Sequence, residues 1–558
     1  SLNFNAYGNY NRTFREIHNI AATFGVEGQT INSFLREMEG QNLNGTYKEL
    51  GNPSDYLQMT AKLDNEQYLL GYIGRLDYKL MDKYIVGLSL RRDGSSKFPT
   101  DYRWGLFTAY SAGWIISEES FFDNINALNF LKLRGSFGKS GNNNIPSDRF
   151  ETTYSNQRKN RYGDGNLISG GSRITNIGTP SLTWETTNNR EIGLDYGFFE
   201  NRISGTVAYY EQEVTDLLLK AELPPSAGVG HVWDNIGDML NKGFEFEISS
   251  VNMHNPISTF KWSTSFNIST NQNEVLGLTP RYNEQGLGIT SGNTISVTEG
   301  RLWAWYINEY AGVDPQRGVD LIHEIDYQHW QETGETVKTG RLIPATNTNL
   351  NRNRIIMQDK PRDPTYFGGI NNTFQYKGID LSVFLSFAGG NYIYDYDEQR
   401  TSYVQYGQVL LREEMIGNTW EKPGDEAEYP MLTWDMQYPW GWDHSADNTD
   451  WSGEPDDPKA KGIWLDSEET NQTYTYNNEG GFFDKFLYKA DYLRVRTLQV
   501  GYTFPSNLTS RLKLTSLRIY FTGNNLFTLT DYPGWDPETG GGVVPPLRMY
   551  NFGMNINF

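Results

Sequence analysis

Hydrophobic and polar residues alternate with a period of two through much of the chain. In one segment Tyr72, Leu76 and Leu80 occupy one set of alternate positions, and Arg75 and Asp77 occupy the other. Such alternation predicts a β-strand with one apolar and one polar face. Further segments with this pattern begin at Tyr84, Ile192, Phe244, Phe260, Ile379, Leu517 and Tyr550. The sequence therefore predicts an all-β fold.

The length of these segments distinguishes between kinds of β protein. They run for about ten residues, the span of a tilted strand through a bilayer. Aromatic residues cluster at their ends, as expected at two membrane interfaces. Their polar faces carry full charges, which suits a water-filled lumen better than a second packed sheet. We therefore expect a transmembrane antiparallel β-barrel rather than a soluble β-sandwich or propeller.

The predicted strands are joined alternately by short turns and long loops. Short turns are predicted at Arg15-Glu16, Met81-Asp82, Glu200-Asn201 and Lys377-Gly378. Long loops are predicted at about 30–67, 139–186, 212–241 and 389–485. Outer-membrane barrels have short periplasmic turns and longer loops outside the cell. The pattern predicts about sixteen strands, and the count stays open between residues 270 and 364, where a further strand near Thr294–Glu299 would add one.

Composition and charge exclude several functions. The 558 residues hold 36 Tyr, 29 Phe and 15 Trp but no Cys, and no stretch approaches the roughly 18 apolar residues of a membrane-spanning helix. The net charge of -20 argues against a nucleic-acid partner. With 6 His and no Cys, we find no nucleophile with a credible base, so the sequence predicts no enzyme and no cofactor. His323 and His329 are spaced poorly for shared metal ligation on a strand or a helix, and no metal site is predicted.

The C-terminal segment ends on an aromatic residue. Tyr550, Phe552, Met554, Ile556 and Phe558 alternate with asparagine and glycine. This ending resembles the outer-membrane assembly signal that the barrel-insertion machinery reads, which assigns that role to Phe558. The alternative is a strand that happens to end the chain.

Several longer blocks carry a family resemblance. They read RRDGSSKF at 91–98, LKLRGSFGKSGNNN at 131–144, NIGDMLNKGFEFEIS at 235–249 and GNNLFTLTDYPGWDPE at 523–538. In combination they resemble the barrel of SusC-like (RagA/SusC-type) TonB-dependent outer-membrane transporters of Bacteroidota, over nearly the whole chain.

The resemblance implies active nutrient import across the outer membrane. The cargo would be an oligosaccharide, the commoner cargo of the family, with oligopeptide as the main rival. It implies a SusD-like surface lipoprotein as a lid, TonB acting through an N-terminal segment, the barrel-assembly machinery, outer-membrane lipid and pairing of two transporters as partners. Family barrels have about 22 strands and a plug. We therefore expect residues 1–558 to be the C-terminal part of such a barrel, with the plug and about six strands absent.

Candidate contact residues lie at the predicted loop ends. The loop 389–485 is too long to be a mere connection, and its aromatic residues can contact a partner, pack the loop's own core or bind ligand directly. They include Trp434, Tyr438, Trp440, Trp442 and Trp451. A second group can either bind ligand or form an Asx-rich turn, and consists of Asn142, Asn143 and Asn144. Charged residues expected to line the lumen or meet the plug are Arg75, Arg91, Glu191, Glu245 and Glu247.

Two other functions stay open at this point. A passive porin would use a complete barrel of about sixteen strands, and a surface adhesin or hydrolase would use the barrel as a scaffold. An upstream plug with a TonB box supports the importer, whereas a signal peptide running directly into Ser1 favours the porin.

Overall fold

The computed structural model describes residues 1–43, 53–122, 125–155, 161–162, 169–170, 173–223, 225–255, 259–279, 287–403, 410–432, 481–540 and 544–558. No helix within these ranges is long and apolar enough to cross a membrane.

Sixteen strands form one large antiparallel sheet. In chain order they are β1 (Leu2–Phe14), β2 (His18–Leu43), β3 (Pro53–Leu80), β4 (Tyr84–Ser95), β5 (Trp104–Ile115), β6 (Leu128–Asn142), β7 (Glu185–Phe198), β8 (Ile203–Thr215), β9 (Gly237–Asn255), β10 (Phe260–Thr270), β11 (Gln272–Leu278), β12 (Tyr366–Tyr376), β13 (Ile379–Gly389), β14 (Tyr492–Thr503), β15 (Ser516–Thr530) and β16 (Met549–Asn557). Fifteen of them follow one another in chain order across the sheet, and β11 pairs with β9 off this path. The predicted number of strands is confirmed.

The predicted short turns connect neighbouring strands at one end, which we call the turn end. Three residues join β1 to β2 and β3 to β4, and two residues join β12 to β13. Positive φ angles occur at Glu16 (62°), Asp82 (57°) and Gly378 (88°). A two-residue hairpin turn of type I′ needs such left-handed backbone at both central positions, as at Lys377 (47°) and Gly378. We call the opposite end of the strands the loop end.

The predicted loop at 30–67 is wrong. The hairpin of β2 and β3 stays paired from His18 opposite Leu80 to Leu43 opposite Pro53. Backbone pairing does not require an apolar face, so the ladder continues past the segment in which hydrophobic residues alternate. A register shift between Ser33 and Phe34 also interrupts the period of two. The sequence pattern therefore ended before the strands did.

Two other predicted loops contain short hairpins. In the loop at 212–241, Leu218–Glu222 pairs with His231–Asn235. In the loop at 139–186, Thr153–Ser155 pairs with Arg173–Asn176 and Arg161–Tyr162 with Ser169–Gly170. The long connections are thus folded where the structure describes them.

The two faces of the large sheet differ in chemistry. On β3, Tyr72 and Leu76 lie on one face, and Arg75 and Asp77 lie on the other. We call these the apolar face and the polar face. Large side chains of the apolar face are exposed, for example Phe24 at 69% and Phe552 at 83%. The predicted period of two is therefore confirmed, and the apolar face is left for lipid rather than for a second protein layer.

The predicted extra strand near Thr294–Glu299 exists, but it lies outside the large sheet. A four-stranded sheet contains Ile289–Ser291, Thr294–Ser296, Ala304–Asn308 and Arg354–Met357. A three-stranded sheet contains Tyr310–Val313, Asp320–Ile325 and Lys338–Pro344. A further pair consists of Tyr392–Tyr394 and Leu487–Lys489.

Helices are short. The α-helices are α1 (Tyr327–Thr333), α2 (Asn347–Arg352), α3 (Tyr396–Thr401) and α4 (Ser506–Thr509). Among the described residues, the 3₁₀ helices are Ile116–Glu118, Ser120–Phe122, Pro225–Ala227, Glu413–Met415, Asp484–Phe486 and Ser510–Leu512.

The chain divides into two compact units. The first comprises Ser1–Phe244 with Leu276–Tyr282, and the second comprises Glu245–Val275 with Asn283–Phe558. Within the part of the chain that the structure describes, the largest buried hydrophobic cluster belongs to the second unit, and we call it the loop core. It contains Trp305, Ile307, Ile322, Ile343, Ala345, Leu350, Met357, Tyr394, Tyr403, Phe483, Phe486 and Leu487.

Candidate functional site

Charges on the polar face of the first unit are paired, both along one strand and across strands. Arg91 Nη2 lies 2.7 Å from Glu27 Oε2, and Arg91 Nε lies 2.7 Å from Asp93 Oδ2. Arg75 Nε lies 2.6 Å from Asp77 Oδ2. Because each arginine has a carboxylate partner, this part of the polar face carries charge but little net charge. The structure thus places Arg75 and Arg91 on the predicted polar side.

The same arrangement recurs further along the sheet. Arg134 on β6 pairs with Glu191 and, through Nε at 3.1 Å, with Asp195 on β7. In the second unit, Arg518 on β15 pairs with Asp380 on β13 at 2.7 Å. These pairs join neighbouring or next-neighbouring strands on one face, which suits a wetted channel wall. Of the other predicted wall charges, Glu245 and Glu247 lie on β9, on the face opposite Phe246.

The three asparagines at the loop end of β6 form a local turn. Asn142 Oδ1 accepts a hydrogen bond from the Asn144 amide at 2.9 Å, and Asn142 Nδ2 donates to Glu185 at 2.9 Å. Asn143 Nδ2 donates to Ser95 Oγ at 3.0 Å. These are contacts of an Asx-rich turn, which sequence analysis offered as one alternative. Ligand contact by these residues stays a prediction.

The loop core assembles three separate parts of the chain around Tyr394. This side chain is 1% exposed, and its ring contacts Trp305, Phe482 and Phe486 at 5.8–6.1 Å between centroids. Burial raises the pKa of the Tyr394 hydroxyl well above its usual value. The contacts join residues 304–308, 392–394 and 482–487, so the loop end of the second unit has an interior of its own.

A half-buried lysine sits among the aromatic rings of the loop core. Lys485 Nζ lies 3.8 Å from the centroid of the Tyr310 ring, 5.0 Å from that of Phe486 and 5.5 Å from that of Tyr403. Burial lowers the pKa of Lys485, and the nearby Asp320 opposes that shift. Cation–π contacts stabilise the ammonium group where water is displaced. The Lys485 ammonium group therefore contacts several aromatic rings of this region at once and contributes to holding them together.

Asp320 supplies the matching negative charge. Its side chain is 1% exposed, Oδ1 lies 3.8 Å from Lys485 Nζ, and Oδ2 accepts a 2.7 Å hydrogen bond from the Tyr403 hydroxyl. Burial and the Asp320 charge raise the pKa of the neighbouring Tyr310. A buried carboxylate is tolerated only with such partners. Sequence reasoning missed this cluster because no local motif connects residues 320, 403 and 485.

A second buried ion cluster lies at the loop end of β14, and we call it the Arg494 anchor. The Arg494 side chain is 1% exposed, its Nη1 lies 2.8 Å from Glu538 Oε2, and its Nη2 lies 2.5 Å from Asp536 Oδ2. Arg496 also pairs with Glu538, at 3.1 Å. Nearby, the Tyr532 hydroxyl donates to Asp395 Oδ2 at 3.0 Å. The segment 532–538, the end of the block GNNLFTLTDYPGWDPE, is thereby fixed to the wall strand and to Asp395, the residue before α3.

The aromatic residues singled out in the long loop, Trp434, Tyr438, Trp440, Trp442 and Trp451, lie outside the described residues, and their role stays a prediction. Trp420 of the same predicted loop is described: its Nε1 donates to the Pro315 carbonyl at 2.9 Å, and it packs near Val319 and Met431. At least this ring packs against its own chain.

The predicted last strand is present. β16 pairs with β15, with Phe552 opposite Phe521 and Ile556 opposite Leu517. Phe558 follows the strand and is 90% exposed. Its role in assembly stays a prediction. Among the residues that the structure describes, no group of three or more His, Asp or Glu side chains is placed to hold a metal ion.

Comparison with known proteins identifies relatives along the chain. Residues 2–340 match the family model "TonB dependent receptor-like, beta-barrel". TonB-dependent receptor P39 of Formosa agariphila is 28% identical over 596 residues, covering 99% of this chain and 52% of that protein. TonB-dependent receptor SusC of Bacteroides thetaiotaomicron is 28% identical over 508 residues, covering 88% of this chain and 44% of that protein. The chain thus spans about half the length of the curated relatives it matches.

A solved structure shares the fold. The RagAB peptide transporter superposes with a TM-score of 0.74 at 22% identity, over 100% of this chain and 55% of that one. Together the comparisons confirm the resemblance to SusC-like proteins, the barrel fold and the outer-membrane location. The relatives are receptors, which also confirms that this is not an enzyme family. Since the family model covers more than half of its residues, the chain belongs to the TonB-dependent receptor-like β-barrel family.

Proposed function

We propose that the protein imports a nutrient actively across the outer membrane, with energy delivered by TonB. The observation that carries this proposal is membership of the TonB-dependent receptor-like β-barrel family. A wall with an exposed apolar face and a paired, charged polar face fits a lipid-embedded channel with a wet interior. In this proposal residues 1–558 supply barrel wall, and coupling to TonB uses other parts of the protein.

A surface lipoprotein of the SusD type is the proposed partner at the loop end. The fold is shared with the RagAB peptide transporter, and the loop core and the Arg494 anchor provide a packed surface rather than loose loops. Large aromatic side chains are enriched at the centres of protein interfaces. The loop 389–485, which includes Trp434, Tyr438, Trp440, Trp442 and Trp451, is the proposed contact region.

The proposed cargo is an oligosaccharide, with oligopeptide as the alternative. Aromatic rings interleaved with carboxylates in the loop 389–485 suit sugar faces and hydroxyl groups. The alternative is favoured by one finding, the structural likeness to a peptide transporter.

Uptake by cells tests the function directly. Cells with and without the gene would receive labelled oligosaccharide or oligopeptide pools, with a protonophore in parallel. We expect uptake of one pool to need both the protein and the proton gradient. Uptake that persists without the gradient, together with a steady open conductance of the purified full-length protein, would contradict active import and support a passive porin.

A further inference from the structure

An open groove lies on the apolar face of the first unit, at the loop end. It has a volume of about 520 Å³. Cross-strand pairing places Phe4 beside Gly28, Gly28 beside Leu70, Leu70 beside Gly94 and Gly94 beside Trp104. A methyl group added at Gly28 would meet nothing within 4 Å, so this glycine leaves open space between two apolar side chains.

Two arginines adjoin this groove. The Arg92 guanidinium lies over the Trp104 ring, 5.2 Å from its centroid, and Trp104 stacks on Tyr72 at 6.1 Å. Arg103 lines the groove, and its Nε is enclosed yet has no hydrogen-bond partner among the described residues. The Arg103 carbonyl accepts hydrogen bonds from Ser95 N and Trp184 Nε1, which fixes the backbone at this position.

The lack of a described carboxylate partner separates these arginines from several other arginines of the wall. Arg75, Arg91 and Arg134 on the polar face each pair with an acidic side chain. Arg190 is the best comparison, because it also lies on the apolar face, on the side of Ile192 and Leu194, and it pairs with Glu211 and Glu213. No described carboxylate forms an ion pair with Arg92 or Arg103. No described carboxylate therefore neutralises these two guanidinium groups, and an anion from outside the chain would fill that role.

The position of the groove along β3 indicates at which side of the membrane that anion would lie. From Leu80 at the turn end to Leu70 in the groove, ten residues at ~3.3 Å each span ~33 Å. Tilted as barrel strands are, this distance corresponds to about 25 Å across the membrane, the height of the apolar band. The groove thus lies at the interface opposite the short turns, which is the outer leaflet in an outer-membrane barrel.

We propose that this groove binds one phosphorylated lipid of the outer leaflet. A phosphate on the headgroup would contact Arg92 and Arg103, whose planar guanidinium groups suit phosphate oxygens. An acyl chain would lie over Gly28 between Phe4 and Leu70. Tyr68 and Trp104, half exposed at this level, border the site as interfacial aromatic residues. The proposal is independent of the cargo and of the surface partner.

The test measures lipid retained by the full-length protein after purification. Delipidated protein would be incubated with vesicles containing diphosphorylated lipid A, re-isolated in detergent, and examined by native mass spectrometry. We expect one tightly held lipid on the wild type and about tenfold or more weaker retention in the double variant Arg92→Gln/Arg103→Gln, because charge-assisted contacts to phosphate are lost. The matched control Arg190→Gln should retain lipid as the wild type does.

A second variant fills the groove and leaves both charges in place. Gly28→Leu should abolish retention, whereas Gly8→Leu, at another open glycine of the apolar face, should not. Unchanged retention in both the arginine and the Gly28 variants would overturn the proposal. Full displacement of the lipid by inorganic phosphate at similar concentration would also overturn it, because the site would then recognise phosphate alone.

Discussion

The wall of the first unit and the loop end of the second unit contain the same kinds of ion pair in opposite surroundings. On the polar face, Arg75 and Asp77 are 61% and 40% exposed. In the Arg494 anchor, the arginine and Asp536 are 1% and 8% exposed. Solvent screens the first pair, whereas the second pair has replaced its water with protein partners. The wall should therefore tolerate loss of a charge, and the loop end should not.

The largest effect is expected for Arg494→Ala. Removing the arginine leaves Asp536 buried without its partner, and breaking a buried pair in this way costs about 3–5 kcal/mol. Segment 532–538 should detach from the wall strand. Hydrogen exchange of the full-length protein should speed up at Gly540, whose amide donates to the Asp536 carbonyl at 2.9 Å, and at the amides of α3.

Two further variants sharpen this prediction. Arg496→Gln removes a 36% exposed neighbour that shares Glu538, and it should change exchange little. Replacing both members of the buried pair, as Arg494→Met/Asp536→Leu, should recover part of the lost stability because no orphan charge remains. Equal effects of Arg494→Ala and Arg496→Gln would contradict the contrast between buried and exposed pairs.

A smaller effect is expected for Tyr403→Phe in the loop core. The variant removes the hydroxyl that donates to Asp320 Oδ2 at 2.7 Å, and a buried acceptor left unsatisfied costs about 1–3 kcal/mol. Thermal unfolding of the loop end, followed by limited proteolysis, should begin at lower temperature. Tyr396→Phe is the control, since Tyr396 is 38% exposed and water can replace its contact with Asn293. The prediction fails if both variants unfold alike.

The contrast also explains what sequence could and could not predict. The wall strands were predictable because each residue's face follows from its own position, as for Tyr72 and Arg75 on β3. The loop core was not, because Trp305, Tyr394 and Phe483 meet only in the folded chain and their spacing follows no period. The prediction of a loop at 30–67 was wrong for a related reason. Backbone pairing between β2 and β3 continues to Leu43 and Pro53, where no alternating apolar pattern indicates a strand. Arg92 and Arg103 beside the groove can be read from the sequence, but the lack of a described carboxylate partner for them cannot.

The smallest effect is expected for Arg75→Ala on the polar face. An exposed pair contributes about 0–1 kcal/mol, and β3 keeps its backbone ladder to β2 and β4 whatever side chain stands at this position. The full-length protein should therefore insert, keep its heat resistance on gel electrophoresis and unfold within a few degrees of the wild type. Asp77 would then carry an unpaired negative charge into the channel, so ionic conductance measured after plug displacement should shift toward cations even though stability does not. A loss of stability as large as that of Arg494→Ala would show that the wall depends on its charge pairs, and that burial is not what separates the two regions.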